Sequence, residues 1–351
     1  MKLLIVTQKL DLSDDNLGVF HQWCAEFARH VDRLVVIANA VGETRLPANV
    51  EICSLGKETG ASRVKRYWKF WELFSFYYAR TDALFVHMVP EFILAAAPFV
   101  MSLRRPIGFW YVHRSVTWQL KVAERLVDYV FTASELSFRL PSKKVIHTGH
   151  AIDADYFRPL RDLRRPVGVR LLALGRMSPV KDYETIINAC AILKETWQRP
   201  FSLSIVGGPI ADRDESYYRK LKKLVHEKRL ASEVAFFGPR PYTEVPEIYH
   251  DHDLFISMSR TGSIDKAVLE AMASGLTVLT ANEAFQSVLP SRYFLERRTP
   301  QFLAERIKTF AGAPYPNTEL REIVLAKHSL KNTITHIVSR LSEPSGFTAL
   351  L

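Results

Sequence analysis

Two short segments of this sequence combine charged side chains with glycine in a way that suits phosphate binding. In the first, Arg176 and Lys181 flank the turn that begins at Gly175, between an apolar run and a helical pattern. Two cations beside a helix start, next to a glycine that permits close backbone approach, form a clamp for a diphosphate leaving group. Either cation alone is better explained as a solvated surface residue. The prediction therefore depends on the pair.

The second segment is SMSRTGSIDKAVLEAMASG, residues 257–275, which follows a buried strand and opens a helix. The loop amides at 261–263 and the positive end of the helix suit phosphate and hydroxyl oxygens. Glu270 lies in the first turns of the helix and adds an acidic side chain. An ordinary strand-to-helix corner with Glu270 on a solvated face explains the segment equally well when it is taken alone.

The run LEAMASG followed by TVLTAN resembles the signature of the retaining glycosyltransferases of family four, which have the GT-B architecture and use nucleotide-activated sugars. That family has two glutamates eight residues apart. This chain keeps the second as Glu270, has Gly262 at the first position, and has Asp265 where a glycine usually stands. The resemblance implies that Glu270 binds the ribose hydroxyls and that Arg176 and Lys181 hold the diphosphate. Because the missing carboxylate normally touches the transferred sugar, the donor sugar stays undetermined.

Further site residues are expected at other turns. Gly207 and Gly208 come at the carboxyl end of a strand, near the place of a nucleotide in such a sheet. By the resemblance, Gly18 matches a glycine-rich loop, and His113, at the end of a predicted strand, matches a histidine near the reacting sugar. His87 ends another strand, where a structural role is equally well supported. We thus predict the catalytic residues His113, Arg176 and Lys181 and the nucleotide-sugar-binding residues Gly18, Gly175, Gly207, Gly208, Ser263, Ile264, Asp265, Lys266 and Glu270.

The pattern Asp-x-Asp, which coordinates a metal-bound diphosphate in the other main transferase architecture, occurs twice. Asp251 and Asp253 precede a buried strand, whereas Asp153 and Asp155 lie in the connector between the two halves. Helix capping or solvation accounts better for both pairs. We therefore predict no metal ion and no cofactor, only a nucleoside diphosphate sugar as donor, with UDP and GDP both open.

Length and composition set the broad class of the protein. A chain of 351 residues with 48% hydrophobic residues exceeds the usual single core, so two domains are expected. The net charge of +10 is spread over both halves, which argues against a nucleic-acid binder. Cys24, Cys53 and Cys190 lack metal-ligand spacing and indicate a reducing compartment. The first apolar run is too short for a secretory leader, so we expect a cytoplasmic protein.

Short apolar runs alternate with helical patterns through both halves, which predicts an α/β fold with two parallel sheets. The expected strands are 3–6, 33–37, 84–86, 107–112, 129–132, 145–146, 170–174, 202–206, 234–236, 254–257 and 277–280. Together with the resemblance, this predicts a GT-B architecture of two Rossmann-like domains facing a central cleft. The predicted domains are an acceptor-side domain at 1–160, a nucleotide-sugar-binding domain at 161–327, and a helix crossing back to the first domain at 328–351.

One run, RVKRYWKFWELFSFYYAR from Arg63 to Arg80, places basic residues beside aromatic ones. Such a mixture is typical of a helix at a membrane interface. Because the aromatic side chains cover more than one face, a helix packed on the sheet with its cations extended to water is favoured. Contact with an anionic inner membrane surface, where lipid-linked acceptors reside, stays as an alternative.

We predict the retaining, metal-independent transfer of a sugar from a nucleoside diphosphate sugar to the hydroxyl of a glycan or lipid-linked acceptor, in glycan, polysaccharide or glycolipid synthesis. A non-catalytic scaffold that binds a nucleotide sugar or a partner stays open, since Gly262 removes a usual sugar contact. A sugar-nucleotide epimerase is a further alternative. A dinucleotide-dependent hydride-transfer enzyme is disfavoured, because no Gly-x-Gly-x-x-Gly fingerprint follows the first strand.

Overall fold

The computed structural model describes residues 1–14, 17–113, 115–160, 168–209 and 212–343. The chain divides into two compact units, one made of Met1–Ala151 with Ser329–Leu351 and the other of Ile152–His328. Each unit has its own sheet and its own hydrophobic core. Part of the predicted connector, residues 161–167, and the end of the predicted terminal helix, residues 344–351, lie outside the described residues.

The helices and strands alternate along the chain. The strands are β1 (Lys2–Leu10), β2 (Arg33–Val41), β3 (Val50–Ser54), β4 (Ala83–His87), β5 (Ile107–Trp110), β6 (Tyr129–Thr132), β7 (Val145–His147), β8 (Val169–Leu174), β9 (Phe201–Val206), β10 (Val234–Gly238), β11 (Leu254–Ser257) and β12 (Thr277–Thr280). The helices are α1 (Val19–His30), α2 (Arg63–Tyr78), α3 (Pro90–Ser102), α4 (Trp118–Leu126), α5 (Tyr183–Thr196), α6 (Asp212–Glu227), α7 (Val245–His250), α8 (Lys266–Ala273), α9 (Pro300–Phe310), α10 (Thr318–Lys327) and α11 (Leu330–Ser342).

The first unit contains a seven-stranded parallel sheet in the order β3-β2-β1-β4-β5-β6-β7. Leu4 of β1 pairs with Val35 of β2 on one side and with Leu84 of β4 on the other. All three residues are buried, as expected for central strands of a parallel sheet covered by helices on both faces. The terminal helix α11 also belongs to this unit, since the Thr333 hydroxyl donates to the carbonyl oxygen of Thr148 at 2.8 Å.

The second unit contains a five-stranded parallel sheet in the order β10-β9-β8-β11-β12. Leu171 of β8 pairs with Leu203 of β9 and with Leu254 of β11. The direction of winding therefore reverses between β8 and β11. In open parallel sheets, ligands bind outside the carboxyl ends of the strands at such a switch point.

The α/β fold with two Rossmann-like parallel sheets is confirmed. Seven observed strands extend beyond their predicted bounds, one strand was not predicted, and one is shorter than predicted. Strand β3 was not expected, because its five residues are all half-buried at the edge of the sheet and alternate only weakly in polarity. Strand β5 ends at Trp110 rather than at residue 112. The amide of Val112 donates to the sulfur of Met88 at 3.3 Å instead of to a strand carbonyl, so the ladder stops there.

Helix α2 packs on the sheet of the first unit through Phe70, Phe74 and Tyr78, all of which are buried. The opposite side of the helix is open, and the Trp68 residue is 67% exposed. Of the helices that the structure describes, none combines the length and apolar character required to cross a membrane.

Candidate functional site

The turn after β8 places the two predicted cations at the carboxyl edge of the second sheet. Gly175 follows the strand with a φ of +150°, in the region that favours glycine. Arg176 is exposed and makes no ion pair within the described part of the chain. A short 3₁₀ turn, Pro179–Lys181, then leads to Asp182, which precedes α5 with a φ of +53°.

Gly207 is required by the close approach of two turns. A Cβ atom at this residue would lie 2.1 Å from the carbonyl oxygen of Gly175, and its φ is +128°. The Gly207 amide donates to Gly238 at 2.8 Å, and the amide of Met177 donates to the carbonyl of Gly208 at 3.0 Å. These bonds join the carboxyl ends of β8, β9 and β10. Packing alone thus accounts for Gly207, and contact of either glycine with a nucleotide stays a prediction.

Lys181 reaches the loop between β11 and α8 and forms an ion pair with Asp265. Both side chains are largely buried, with exposed fractions of 16% and 14%. The neighbouring Asp182 pairs with Arg260 at 2.7 Å, so two ion pairs connect the turn after β8 with the loop after β11. These are the two strands between which the winding reverses. The predicted diphosphate cation therefore lies at the switch point, but a carboxylate of the same chain already neutralises it.

The loop between β11 and α8 is held by two polar side chains that were not predicted. Asn282 donates to the carbonyl oxygen of Ser263 at 2.8 Å. The guanidinium of Arg298 donates to the carbonyls of Met258 at 2.7 Å and Ser259 at 3.1 Å. Both residues follow the loop by many positions, and no short-range signal in the sequence connects them with it.

Three further predicted residues occupy this loop and the start of α8. Gly262 turns the loop with a φ of +61°, which only glycine adopts readily. Ser263 is half-buried and Ile264 is 8% exposed. Lys266 opens α8, and burial lowers the pKa of its ammonium group. Lys266 therefore adds a cation to the first turn of the helix that carries Glu270.

Glu270 lies one turn into α8 and is 5% exposed, so the alternative that placed it on a solvated face is wrong. The Tyr249 hydroxyl donates to its Oε2 at 3.1 Å, and the Tyr242 hydroxyl lies 3.5 Å from its Oε1. Burial raises the pKa of Glu270 to about 7, although the charge of Lys266 opposes this shift. Glu270 is therefore a desolvated carboxyl group that titrates near neutral pH.

Aromatic residues surround Glu270. Tyr156 stacks on Tyr242 with ring centroids 5.9 Å apart, and Phe157 contacts both Tyr242 and Tyr249 edge-on. Burial raises the pKa of the Tyr242 and Tyr249 hydroxyls, so both keep their protons and act as donors. A carboxylate held by such donors still has lone pairs that can accept ribose hydroxyls.

The first unit contains the remaining predicted residues. Gly18 is the N-cap of α1 with a φ of −55°, a conformation open to any residue. His87 is buried and stacks on Phe20 with ring centroids 3.9 Å apart, which supports its structural role. His113 was expected to end a strand, and this is wrong, because β5 ends three residues earlier. His113 is exposed, and its Nδ1 accepts from the amide of Ser115 at 3.1 Å. Its contact with a sugar stays a prediction.

Both Asp-x-Asp patterns have structural partners. The Asp253 carboxylate accepts from the backbone amide of Arg170 at 2.9 Å and forms an ion pair with its side chain. The Asp153 carboxylate accepts from the amides of Asp155 and Tyr156 at 3.1 and 3.0 Å. Across the described residues, no group of three or more His, Cys, Asp or Glu side chains is arranged to hold a metal ion. The two patterns are thus explained by local structure.

Residues 168–310 match the model of the family described as glycosyl transferases group 1. This segment belongs to that family. Arg176, Lys181 and Glu270 all fall within it, and the resemblance drawn from the LEAMASG run is confirmed.

Two curated relatives each match less than half of the chain. Mannosylfructose-phosphate synthase of Agrobacterium fabrum is 32% identical over 154 residues, which cover 41% of this chain and 34% of the relative. D-inositol 3-phosphate glycosyltransferase of Corynebacterium efficiens is 27% identical over 171 residues, which cover 48% of this chain and 39% of the relative. The chain thus spans less than half the length of these relatives.

Two solved structures are similar over nearly the whole chain. HepE of Anabaena, crystallised with UDP and glucose, has a TM-score of 0.74 at 16% identity and covers 98% of this chain and 100% of its own. Sucrose-phosphate synthase of Thermosynechococcus elongatus has a TM-score of 0.72 at 16% identity and covers 97% of this chain and 98% of its own. At these identities the similarity concerns the fold, and the predicted GT-B fold is confirmed.

Proposed function

We propose that this protein is a retaining glycosyltransferase, which moves a sugar from a nucleoside diphosphate sugar to an acceptor hydroxyl in glycan, polysaccharide or glycolipid synthesis. The observation that carries the proposal is the position of Lys181 and Glu270 at the switch point of the second sheet, in the turn after β8 and in the helix after β11. Both lie inside the glycosyl transferases group 1 segment. The residues proposed to bind the diphosphate and the ribose therefore lie at one edge of the sheet.

Each residue has a distinct role in the proposed reaction. Arg176 and Lys181 bind the donor's diphosphate and stabilise the charge that grows as its bond to the sugar breaks. Glu270 accepts the ribose hydroxyls, and His113 supports the reacting sugar by hydrogen bonding. The diphosphate leaves on the same face from which the acceptor attacks, and one of its phosphate oxygens takes the acceptor proton. No separate general base is then required.

The donor class can be tested directly. HepE was crystallised with UDP and glucose, which favours a UDP-linked donor for this chain as well. Thermal unfolding should be measured with a panel of UDP-sugars and GDP-sugars, and product formation followed by mass spectrometry with the donors that stabilise the protein. A panel in which no nucleotide sugar raises the unfolding temperature contradicts the proposal.

We also propose that the reaction needs no divalent ion, because the two cations of the turn supply the charge that a metal supplies elsewhere. Transfer should persist in excess EDTA. A complete loss of transfer that magnesium or manganese restores would refute this part of the proposal.

A non-catalytic scaffold is the second candidate. The Lys181–Asp265 ion pair favours it, because a neutralised cation is a weaker electrostatic catalyst. Nucleotide-sugar binding with neither transfer nor hydrolysis would select the scaffold over the enzyme.

We propose that residues 1–160 bind the acceptor, that residues 161–327 bind the donor, and that residues 328–351 form the terminal helix.

We propose that the exposed side of α2 touches an anionic membrane surface, because it presents Trp68 and Trp71 beside Lys65 and Lys69. Flotation with anionic liposomes should be lost when these four residues are changed together. Flotation that persists in that variant argues against membrane contact.

A further inference from the structure

A cavity of about 410 Å³ opens in the first unit at the carboxyl ends of its parallel strands. Gln8 of β1 and Asn39 of β2 line it, together with Leu55 after β3 and Val89 after β4. The winding of this sheet reverses between β1 and β4, so the cavity lies at the switch point of the first sheet. Its volume falls within the range of small-molecule sites, and all its lining residues lie outside the glycosyl transferases group 1 segment.

The cavity carries an excess of positive charge. Lys57, Arg63 and Arg66 line it, against the single carboxylate of Glu91. Within the described residues, none of these three cations forms an ion pair. Arg63 and Arg66 also lie at the start of α2, where the helix dipole is positive and no acidic residue balances it. The like charges of these cations and of the helix end repel one another in the free protein, and a bound anion would offset this repulsion.

Arg66 is already positioned for a ligand. Its Nη1 donates to Oδ1 of Asn39 at 2.5 Å, which fixes the guanidinium. Its Nε is buried and has no hydrogen-bond partner among the residues that the structure describes. A buried N–H group without an acceptor is costly, and a bound oxygen would satisfy it. The backbone amide of Lys57 donates to the carbonyl of the same Asn39 at 3.1 Å, which keeps Lys57 beside the cavity.

We propose that this cavity binds a phosphate group carried by the acceptor. The inference rests on the proposed function, since it names the acceptor of that reaction. Arginine and lysine side chains provide several charge-assisted donors to phosphate oxygens. Gln8 and Glu91 remain to bind hydroxyls of the adjoining sugar or polyol, and Tyr67 supplies an aromatic surface for its ring. A water-soluble sugar phosphate and a lipid-linked sugar share this chemistry.

Calorimetric titration of the full chain with glucose 6-phosphate and with glucose tests the proposal. We expect the phosphate ester to bind about tenfold or more tightly than glucose, and its affinity to fall as salt is added. The variants Lys57→Gln and Arg63→Gln should each weaken binding by about tenfold. Both residues are exposed, so neither substitution disturbs the core. Lys121→Gln removes an exposed cation of α4 outside the cavity and serves as the matched control.

Flotation with phosphatidylcholine vesicles that contain phosphatidic acid distinguishes the two sources of phosphate. If only the vesicles bind, and if Lys57→Gln and Arg63→Gln abolish this binding while Lys121→Gln does not, the phosphate belongs to a lipid-linked acceptor. The proposal is overturned if glucose and glucose 6-phosphate both bind with equal affinity, if neither glucose 6-phosphate nor the vesicles bind, or if the two cavity variants leave the observed binding unchanged. UDP is titrated in parallel, because a failure to bind UDP counts against the proposed glycosyltransferase and leaves the phosphate result intact.

Discussion

If the protein binds a nucleotide sugar as proposed, that binding should weaken below neutral pH, because the ribose hydroxyls need an ionised acceptor. Burial raises the pKa of Glu270 to about 7, although hydrogen bonds from Tyr249 and Tyr242 oppose the shift. If only the ionised form binds ribose, the apparent affinity scales with the ionised fraction of Glu270. That fraction falls from about nine tenths at pH 8 to about one tenth at pH 6, so the dissociation constant should rise about tenfold between these pH values.

The same carboxyl group makes stability depend on pH with a defined sign. Its pKa is higher in the folded protein, at about 7, than the ordinary value of 4.5 for a solvated glutamate, so the folded state holds the proton more tightly. The resulting stabilisation is present in full below pH 4.5 and is lost as the pH rises through about 7. The loss amounts to about 3 kcal/mol. Relative to a Glu270→Gln variant, the wild-type protein should therefore lose this amount of unfolding free energy between pH 4.5 and pH 8.

Two measurements check this reasoning. Calorimetric titration with UDP-glucose, whose diphosphate does not titrate in this range, gives the affinity at pH 6, 7 and 8. Urea unfolding of wild type and Glu270→Gln from pH 4.5 to pH 8 gives the stability difference. The Gln variant should bind UDP-glucose weakly and with little dependence on pH. An affinity that is flat from pH 6 to pH 8 in the wild type, or that falls equally in both proteins, refutes the assignment of Glu270 to the ribose.

Three other substitutions follow from the contacts of the second unit. Lys181→Ala should lower turnover roughly 10- to 100-fold with a much smaller change in urea stability, and a loss of stability alone would contradict its role on the diphosphate. Asp265→Asn should tighten UDP-glucose binding roughly threefold to tenfold in calorimetry, because it releases Lys181 from its ion pair. Unchanged affinity would show that the ion pair does not compete with the donor. Gly207→Ala should cost about 2 kcal/mol or more of unfolding free energy in urea unfolding, because its Cβ would overlap the carbonyl of Gly175. Gly312→Ala is the control: its Cβ meets open space, and the substitution should change the free energy of unfolding by less than about 0.5 kcal/mol.

The fold was predictable because the strands of parallel sheets are short, continuous apolar runs. Tyr129–Thr132, Leu254–Ser257 and Thr277–Thr280 are observed with the predicted bounds. The strand Val50–Ser54 was missed because it is not a continuous apolar run. It lies at the edge of the sheet with all five residues half-buried, and its sequence mixes Glu51 with apolar residues. The end of β5 depended on the sulfur of Met88, a tertiary contact that no local pattern contains.

The sequence predicted which residues form the candidate site, but it did not predict the distant residues that contact them. The glycine, cations and glutamate of the two motifs carry a local signal, because each stands at a strand-to-helix turn. Their partners come from distant segments: Tyr242 and Tyr249 enclose Glu270, and Arg298 fixes the loop before it. The high pKa of Glu270 follows from its burial in the folded protein, which no local pattern contains, and a solvated face was therefore an equal alternative from the sequence.

At Gly262 and Asp265 this sequence differs from the family pattern that it resembles, and the two differences act together in one loop. Gly262 gives the loop its left-handed turn without contributing a carboxylate, and three residues later Asp265 contributes one that pairs with Lys181. If the donor diphosphate binds at this turn as proposed, it brings negative charge next to Asp265, and Lys181 exchanges one anionic partner for another as the donor binds. Arg176 is exposed and unpaired within the described residues, and its charge is available from the start. Donor capture should therefore begin at Arg176, with Lys181 engaging the diphosphate only as its bond to Asp265 breaks.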